Sequence, residues 1–209
     1  MSHSRSDTER FDRWAGRYDR HYLQRLVFEP VQRTVLELAA TEVPSPVAIL
    51  DVGCGTGRLL RSSEERFPGA ALEGVDAALG MVKHAQAVNP ARSRIRFQQA
   101  TAEKLPFATA QFDLVFSTMT FHHWDDQRAG IAEIARVLKP NGRWLLADFV
   151  ADGLMRHVRR MLGLRQFPER TELDAMLGPA GLCVIAERKV RGLRGQVPVL
   201  AIGRSGQAV

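Results

Sequence analysis

Three glycines at alternate positions, Gly53, Gly55 and Gly57, follow the apolar run Ile49-Leu50 and the acid Asp51. No other stretch restricts the fold as much. Glycine reaches positive φ without strain and leaves no Cβ in the way of a close ligand. A strand that breaks into such a turn, with Arg58-Leu59-Leu60 opening a helix, places N–H groups and a helix N-terminus beside a nucleotide-sized pocket.

The rest of the chain supplies a sheet for that turn. Val47–Val52, Ala71–Val75, Ile95–Phe97, Phe112–Ser117 and Arg143–Asp148 read as strands. Between them lie a helix from Leu59 to Phe67, another from Leu79 to Val88, and a third on which Ile131, Ile134, Ala135 and Leu138 share a face. Asp126 can cap this third helix, and Lys139-Pro140-Asn141-Gly142 ends it with turn chemistry. The alternation calls for a parallel sheet with helices on both faces. Asp76 ends the second strand, where open α/β sheets place their ligand crevice.

The two ends of the chain read differently. Thr171 to Leu177 is helical, and Cys183–Val190 and Val197–Ile202 are strands whose connection is short enough only for an antiparallel pair. At the other end, Asp7 to Leu38 is helical, with Phe11, Trp14, Ala15, Tyr18, Tyr22 and Leu26 on one face. Pro30 is expected to interrupt it, with Val31, Val35 and Leu38 on a second segment. The stripe suits packing on the sheet; Trp14, Tyr18 and Tyr22, with Asp19 alongside, also suit closure over a ligand.

Length and composition bound the class. At 209 residues, 45% hydrophobic and 25% charged, residues 1–209 fit one globular domain. Cys54 and Cys183 lack metal-ligand spacing, so no metal site is expected and the setting is read as reducing and cytoplasmic. No apolar run reaches the length of about 20 residues that a membrane span needs, and Met1–Ser6 lacks the apolar stretch of a signal peptide. The net charge of +6 permits acidic partners without requiring them.

Two nucleotide readings compete at the glycine turn. The dinucleotide fingerprint needs Gly-x-Gly-x-x-Gly, whereas this loop is Gly-x-Gly-x-Gly with Leu59 and Leu60 beyond it. Asp76 can accept ribose hydroxyls in either case. Asp51 separates them, because a carboxylate there suits a ligand bearing an amine or a positive charge better than a pyrophosphate.

With these residues in place, the chain resembles the class I S-adenosylmethionine-dependent methyltransferases, small-molecule subgroup, typified by the ubiquinone/menaquinone-biosynthesis enzymes. The matching pieces are Ile49–Gly57, Gly74-Val75-Asp76 with Met81, Ala102–Phe107, Phe112–Val115, Phe121-His122-His123-Trp124 and Glu133–Arg143. Phe11-Asp12 with Ala15 and Tyr18-Asp19 looks like the subgroup's N-terminal helix, so the match spans roughly residues 11–150. The resemblance implies a Rossmann-like three-layer α/β sandwich: a seven-stranded, mostly parallel sheet ending in an antiparallel hairpin. It also implies a division into an N-terminal helical cap (1–40), a donor-binding core (41–150), a possible acceptor lid (151–170), and a C-terminal helix and hairpin (171–209).

The same resemblance implies the site, with S-adenosyl-L-methionine as cofactor. Asp51, Gly53, Cys54, Gly55 and Gly57 would face the methionyl end of the donor, and Asp76 its ribose. Ala77, Met81, Ala102 and Glu103 would line the adenine, Thr118 would lie under the donor, and Tyr18 would close it from above. Asp76 could instead cap the helix after it, and Met81 could be plain core. His122 and His123 are the candidate general bases, needed only if the acceptor must lose a proton; they could equally shape their loop. Arg156, His157, Arg159, Arg160, Arg165 and Arg170 flank an apolar stripe, either as a lid over the acceptor or as a solvated helix face.

Three functions fit. One is methyl transfer to a small-molecule acceptor, by O-, N- or C-methylation. A nucleic-acid methyltransferase is disfavoured: Ser117-Thr118-Met119-Thr120-Phe121 replaces the Asn/Asp-Pro-Pro-aromatic motif, and no Pro-Cys nucleophile is present. The third is a catalytically silent donor-binding subunit. The oligomeric state and the acceptor are not legible.

Overall fold

The computed structural model describes residues 22–150, 167–192 and 195–206. The expectations for Trp14, Tyr18 and the rest of residues 1–21, and for most of the 151–170 segment, lie outside the described residues. In chain order the elements are α1 (Tyr22–Glu42), β1 (Ala48–Val52), α2 (Arg58–Arg66), β2 (Ala71–Asp76), α3 (Leu79–Val88) and β3 (Ile95–Gln99). They continue with β4 (Phe112–Thr118), a 3-10 turn (Phe121–His123), α4 (Gln127–Val137), β5 (Leu138–Ala147) and α5 (Arg170–Leu177). A second 3-10 turn (Gly178–Ala180), β6 (Leu182–Gly192) and β7 (Gly195–Arg204) complete them.

The strands form one seven-stranded sheet in the order β3-β2-β1-β4-β5-β7-β6. The first five are parallel; β7 pairs antiparallel with both β5 and β6. The expected Rossmann-like fold and its C-terminal hairpin are therefore present. Strand side chains alternate between two cores, as a period of two requires. Ile49, Leu114 and Leu145 face a core built with α1, α2 and α3. Their neighbours Leu50, Val115 and Leu146 face another, built with α4 and α5. Both faces of the central strands are buried, which is why they read as unbroken apolar runs.

Pro30 does not interrupt the N-terminal helix. α1 runs through it to Glu42. Proline inside a helix costs about 3 kcal/mol in a lost hydrogen bond and a clash. Beyond it, however, Val31, Val35 and Leu38 are at most 3% exposed, and burying each such side chain contributes roughly 1.5–3 kcal/mol. Packing outweighs the local penalty. Thr34 Oγ1 also donates to the Pro30 carbonyl at 2.9 Å.

Strand five also starts earlier than expected, and Leu138 belongs to it rather than to the preceding helix. Phe112 pairs with Leu138 but Leu114 pairs with Arg143, so Lys139 to Gly142 bulge out of the ladder opposite Asp113. Asp113 makes that bulge an anchor. Its Oδ2 accepts the backbone N–H groups of Val47 and Ala48, and its carboxylate meets Lys139 Nζ at 2.9 Å. The start of β1 is thereby pinned to β4.

Candidate active site

The order of the sheet reverses at β1, with β2 on one side and β4 on the other. Connections leaving such neighbours diverge, so a crevice opens over their carboxyl ends. The site lies there. The chain leaving β1 turns through positive φ at Gly53 (75°), Gly55 (52°) and Gly57 (79°). Gly53 and Cys54 both donate backbone N–H to the Val75 carbonyl, which ties the turn to β2.

Gly53, Gly55, Asp76, Ala77, Met81, Ala102, Glu103, Thr118 and His123 line one cavity. Asp51, Cys54, Gly57 and His122 do not line it. Cys54 is 8% exposed and packs within the core beneath the turn, so only its backbone is placed with the loop. Gly57 serves packing: a Cβ there would meet Phe97 Cζ at 2.5 Å.

Asp76 does not cap α3, whose N-cap is Ala78. It braces the glycine turn instead. Oδ2 accepts Gly55 N–H at 2.8 Å and Oδ1 accepts Ala78 N–H at 2.9 Å. Asp76 also lines the cavity, which sets a carboxylate acceptor in its wall.

Asp51 is 2% exposed, and no hydrogen bond reaches its carboxyl among the described residues. Burial, and secondarily the Asp76 charge, push it from 3.8 up to about 8. A lone acid in that position is a place prepared for positive charge. Thr118 Oγ1 is likewise buried without a partner among the described residues. Gly55, by contrast, has no atom of the described residues within 4 Å of where a Cβ would sit, leaving its face open toward them. These three features fit a ligand that brings a cation and a hydrogen-bonding group against bare backbone.

The opposite wall is the 101–107 loop, stapled from α4. Glu133 Oε2 accepts Leu105 N–H at 2.8 Å, while Arg136 donates to the Phe107 and Leu105 carbonyls at 2.7 and 3.0 Å. Arg136 also pairs with Glu133, and that hydrogen bond holds the Glu133 carboxyl below its ordinary range. Glu103 Oε1 accepts Asp126 N–H at 3.2 Å, linking the loop to the start of α4.

Phe28, Trp124 and Asp125 also line the cavity and were not picked out as site residues from the sequence. Trp124 lies edge-on to Phe121 at 4.8 Å, and a Cβ on Gly130 would meet its Cε3 at 2.5 Å. Gly130→Ala is therefore expected to push Trp124 toward the cavity. Helix propensity favours alanine by about 1 kcal/mol, so a loss of ligand affinity with little loss of melting temperature is the expected pattern. Calorimetric titration alongside thermal melting checks it.

The acid following β5 was also missed as a site residue. Asp148 is 3% exposed and its Oδ1 meets His122 Nδ1 at 2.7 Å. Its position was the available signal, since Asp51 and Asp76 also sit at carboxyl ends of strands.

Residues 50–146 match the family described as methyltransferase domain. The chain is 38% identical to the malonyl-[acyl-carrier protein] O-methyltransferase of Hahella chejuensis over 136 residues, 59% of this chain and 48% of that protein. It is 36% identical to the demethylmenaquinone methyltransferase of Deinococcus radiodurans over 158 residues, 73% of this chain and 65% of that protein. The chain thus spans about half the length of the first curated relatives it matches. A SAM-dependent methyltransferase structure from Aquifex aeolicus superposes with a TM-score of 0.69 at 20% identity, covering 91% of this chain and 97% of that one, which shows the shared fold. Residues 50–146 carry a methyltransferase domain, and with its glycine turn, strand-end acids and seven-stranded sheet the chain resembles the class I S-adenosylmethionine-dependent methyltransferases.

Proposed function

We propose that this chain transfers a methyl group from S-adenosylmethionine to a small-molecule acceptor in a cytoplasmic setting. The carrying observation is the cavity over β1, β2 and β4, where the glycine turn, Asp76, Met81, Ala102 and Thr118 meet. The relatives named for malonyl-acyl-carrier protein and demethylmenaquinone support an acceptor other than nucleic acid. When bound, the donor supplies an activated methyl on a sulfonium.

The chain's own residues bind and orient. Asp76, braced on the Gly55 and Ala78 N–H groups at the cavity wall, is the acceptor for the ribose hydroxyls. Met81, Ala102 and Glu103 flank the adenine, and Ala77 lies beside it. Gly53 and Gly55 admit the methionyl end against bare backbone, with Asp51 behind them to balance positive charge. Thr118 Oγ1 gains the partner it lacks. Tyr18 is proposed as the closing residue. Holding nucleophile and methyl in attack geometry can lower the barrier by roughly 7–11 kcal/mol, which is the main catalytic task here.

S-adenosylmethionine and S-adenosylhomocysteine are each expected to raise the melting temperature, whereas NAD leaves it unchanged. Asp76→Ala removes both the ribose acceptor and the brace on Gly55, and is expected to weaken donor affinity about 100-fold, the loss of two charge-assisted hydrogen bonds. An unchanged thermal shift in that variant would sink the ribose assignment. Donor binding without transfer to any phenol, quinone or amine, restored by a partner protein, would favour a silent subunit instead.

A further inference from the structure

Thr118 and Ala147 are register partners, so β4 and β5 release their chains side by side. β4 then turns sharply. Met119 takes a φ of 56°, a conformation that non-glycine residues avoid and that tends to occur where function fixes the backbone. The turn carries His122 over the end of β5. There the buried Asp148 carboxyl accepts three hydrogen bonds: His122 Nδ1 at 2.7 Å, Phe149 N–H at 2.7 Å and His122 N–H at 3.3 Å.

That pairing sets the tautomer. An acceptor carboxylate on Nδ1 keeps the ring proton there and leaves the lone pair of a neutral ring on Nε2. No described residue hydrogen-bonds Nε2. The ring is stacked on Phe167 at 4.9 Å and lies 6.2 Å from Phe149, which itself meets Phe167 edge-on at 6.1 Å. On the other side His123, a wall of the donor cavity, is 4.0 Å away between ring centroids. Among the described residues, the titratable groups in contact with the His122 ring are Asp148 and His123. No lysine or arginine is among the described residues lining the adjoining cavity.

We infer that His122 is the general base for an aromatic hydroxyl acceptor, with Asp148 as its positioning residue. This rests on the proposed methyl transfer and names the acceptor class. A carboxylate acceptor is already ionised and needs no base; a phenol must lose a proton, and its ring suits the aromatic surface that Phe149 and Phe167 place beside His122. In the step, the phenolic proton passes to His122 Nε2 and the oxygen pair forms the new O–C bond. The C–S pair leaves with sulfur as a neutral thioether. The His122 imidazolium, stabilised by Asp148, then returns its proton to solvent.

The test needs no turnover at first. Protein saturated with S-adenosylhomocysteine is titrated with 4-nitrophenol and 4-nitrocatechol below the pH at which each ionises in water. The wild type is expected to bind them with the absorbance of the anion. In His122→Gln the bound dye stays neutral, and in Asp148→Asn the ratio of anion to neutral dye falls at least about 10-fold, while the product-induced rise in melting temperature persists. With labelled donor, His122→Gln is expected to lose about 10²–10³-fold in kcat near neutral pH and to recover most of it where the phenol ionises by itself.

A deficit equal at every pH assigns the pair a purely structural role and overturns the inference. So does an anionic dye spectrum unchanged in His122→Gln, or a wild type that binds donor but no phenol. Absence of any donor-induced thermal shift would instead overturn the methyltransferase reading beneath it.

Discussion

Asp51→Asn is expected to make the ligand-free protein more stable and the donor complex weaker. Burial first, and the Asp76 charge second, place the Asp51 carboxyl at about 8 against an ordinary 3.8. Between these values the folded chain holds a proton that the unfolded chain has released. Stability at this group therefore falls as pH rises from about 4 to about 8, then levels off. Asparagine keeps the shape and removes the titration. The melting temperatures of variant and wild type should nearly coincide at pH 4 and separate by roughly 10–20 °C at pH 8, since each pKa unit is worth about 1.4 kcal/mol and a protein this size shifts by about 2–4 °C per kcal/mol. Scanning calorimetry across that window checks it.

Donor binding should move the same group the other way. A positive charge beside Asp51 favours the ionised form, so binding releases a proton and affinity rises with pH up to about 8. Titration calorimetry in two buffers of different ionisation enthalpy measures that proton directly. Asp51→Asn should abolish the release and weaken binding at least about 10-fold, the effect of one lost charge interaction of about 1.4 kcal/mol or more. Binding that is tighter in the variant would remove Asp51 from the donor site.

Gly53→Ala is the other substitution expected to act strongly, for two separate reasons. At a φ of 75° any L side chain is strained, by about 1–2 kcal/mol. The added methyl would also overlap the side chain of Thr120, whose Cβ lies 2.6 Å from its position, and Thr120 is part of the cavity wall. A combined loss of about 3 kcal/mol and of detectable donor binding is expected. Pairing it with Thr120→Gly separates the terms: the overlap is relieved and the backbone strain stays, so partial recovery in thermal melts is the expected result.

Much of the candidate site was legible because its residues are local in the sequence. The glycine turn follows directly on β1, and Asp76 closes β2 within the same β-α-β unit. Period-two burial on both faces of the sheet made the strands readable, and the short link between β6 and β7 required their antiparallel pairing. The residues that failed to read were those whose role depends on distant packing. Pro30 sits in a helix because a core it cannot signal locally holds the next two turns. Lys139 to Gly142 carry turn chemistry, yet form a bulge because Asp113 on the neighbouring strand gathers Lys139 and the start of β1.

The sequence by itself determined the class of cofactor. The spacing of Gly53, Gly55 and Gly57, with Asp51 before them and Asp76 after, suits a cationic nucleoside better than a dinucleotide, because each constraint acts within a turn or a strand end. Tertiary structure alone decided what His122 pairs with. His122 and Asp148 lie 26 residues apart, and only the parallel register of β4 on β5 brings them within 2.7 Å. It also decided that Asp51 is charged with difficulty, since no local pattern reveals that a carboxyl is sealed from water and left without a hydrogen bond among the described residues.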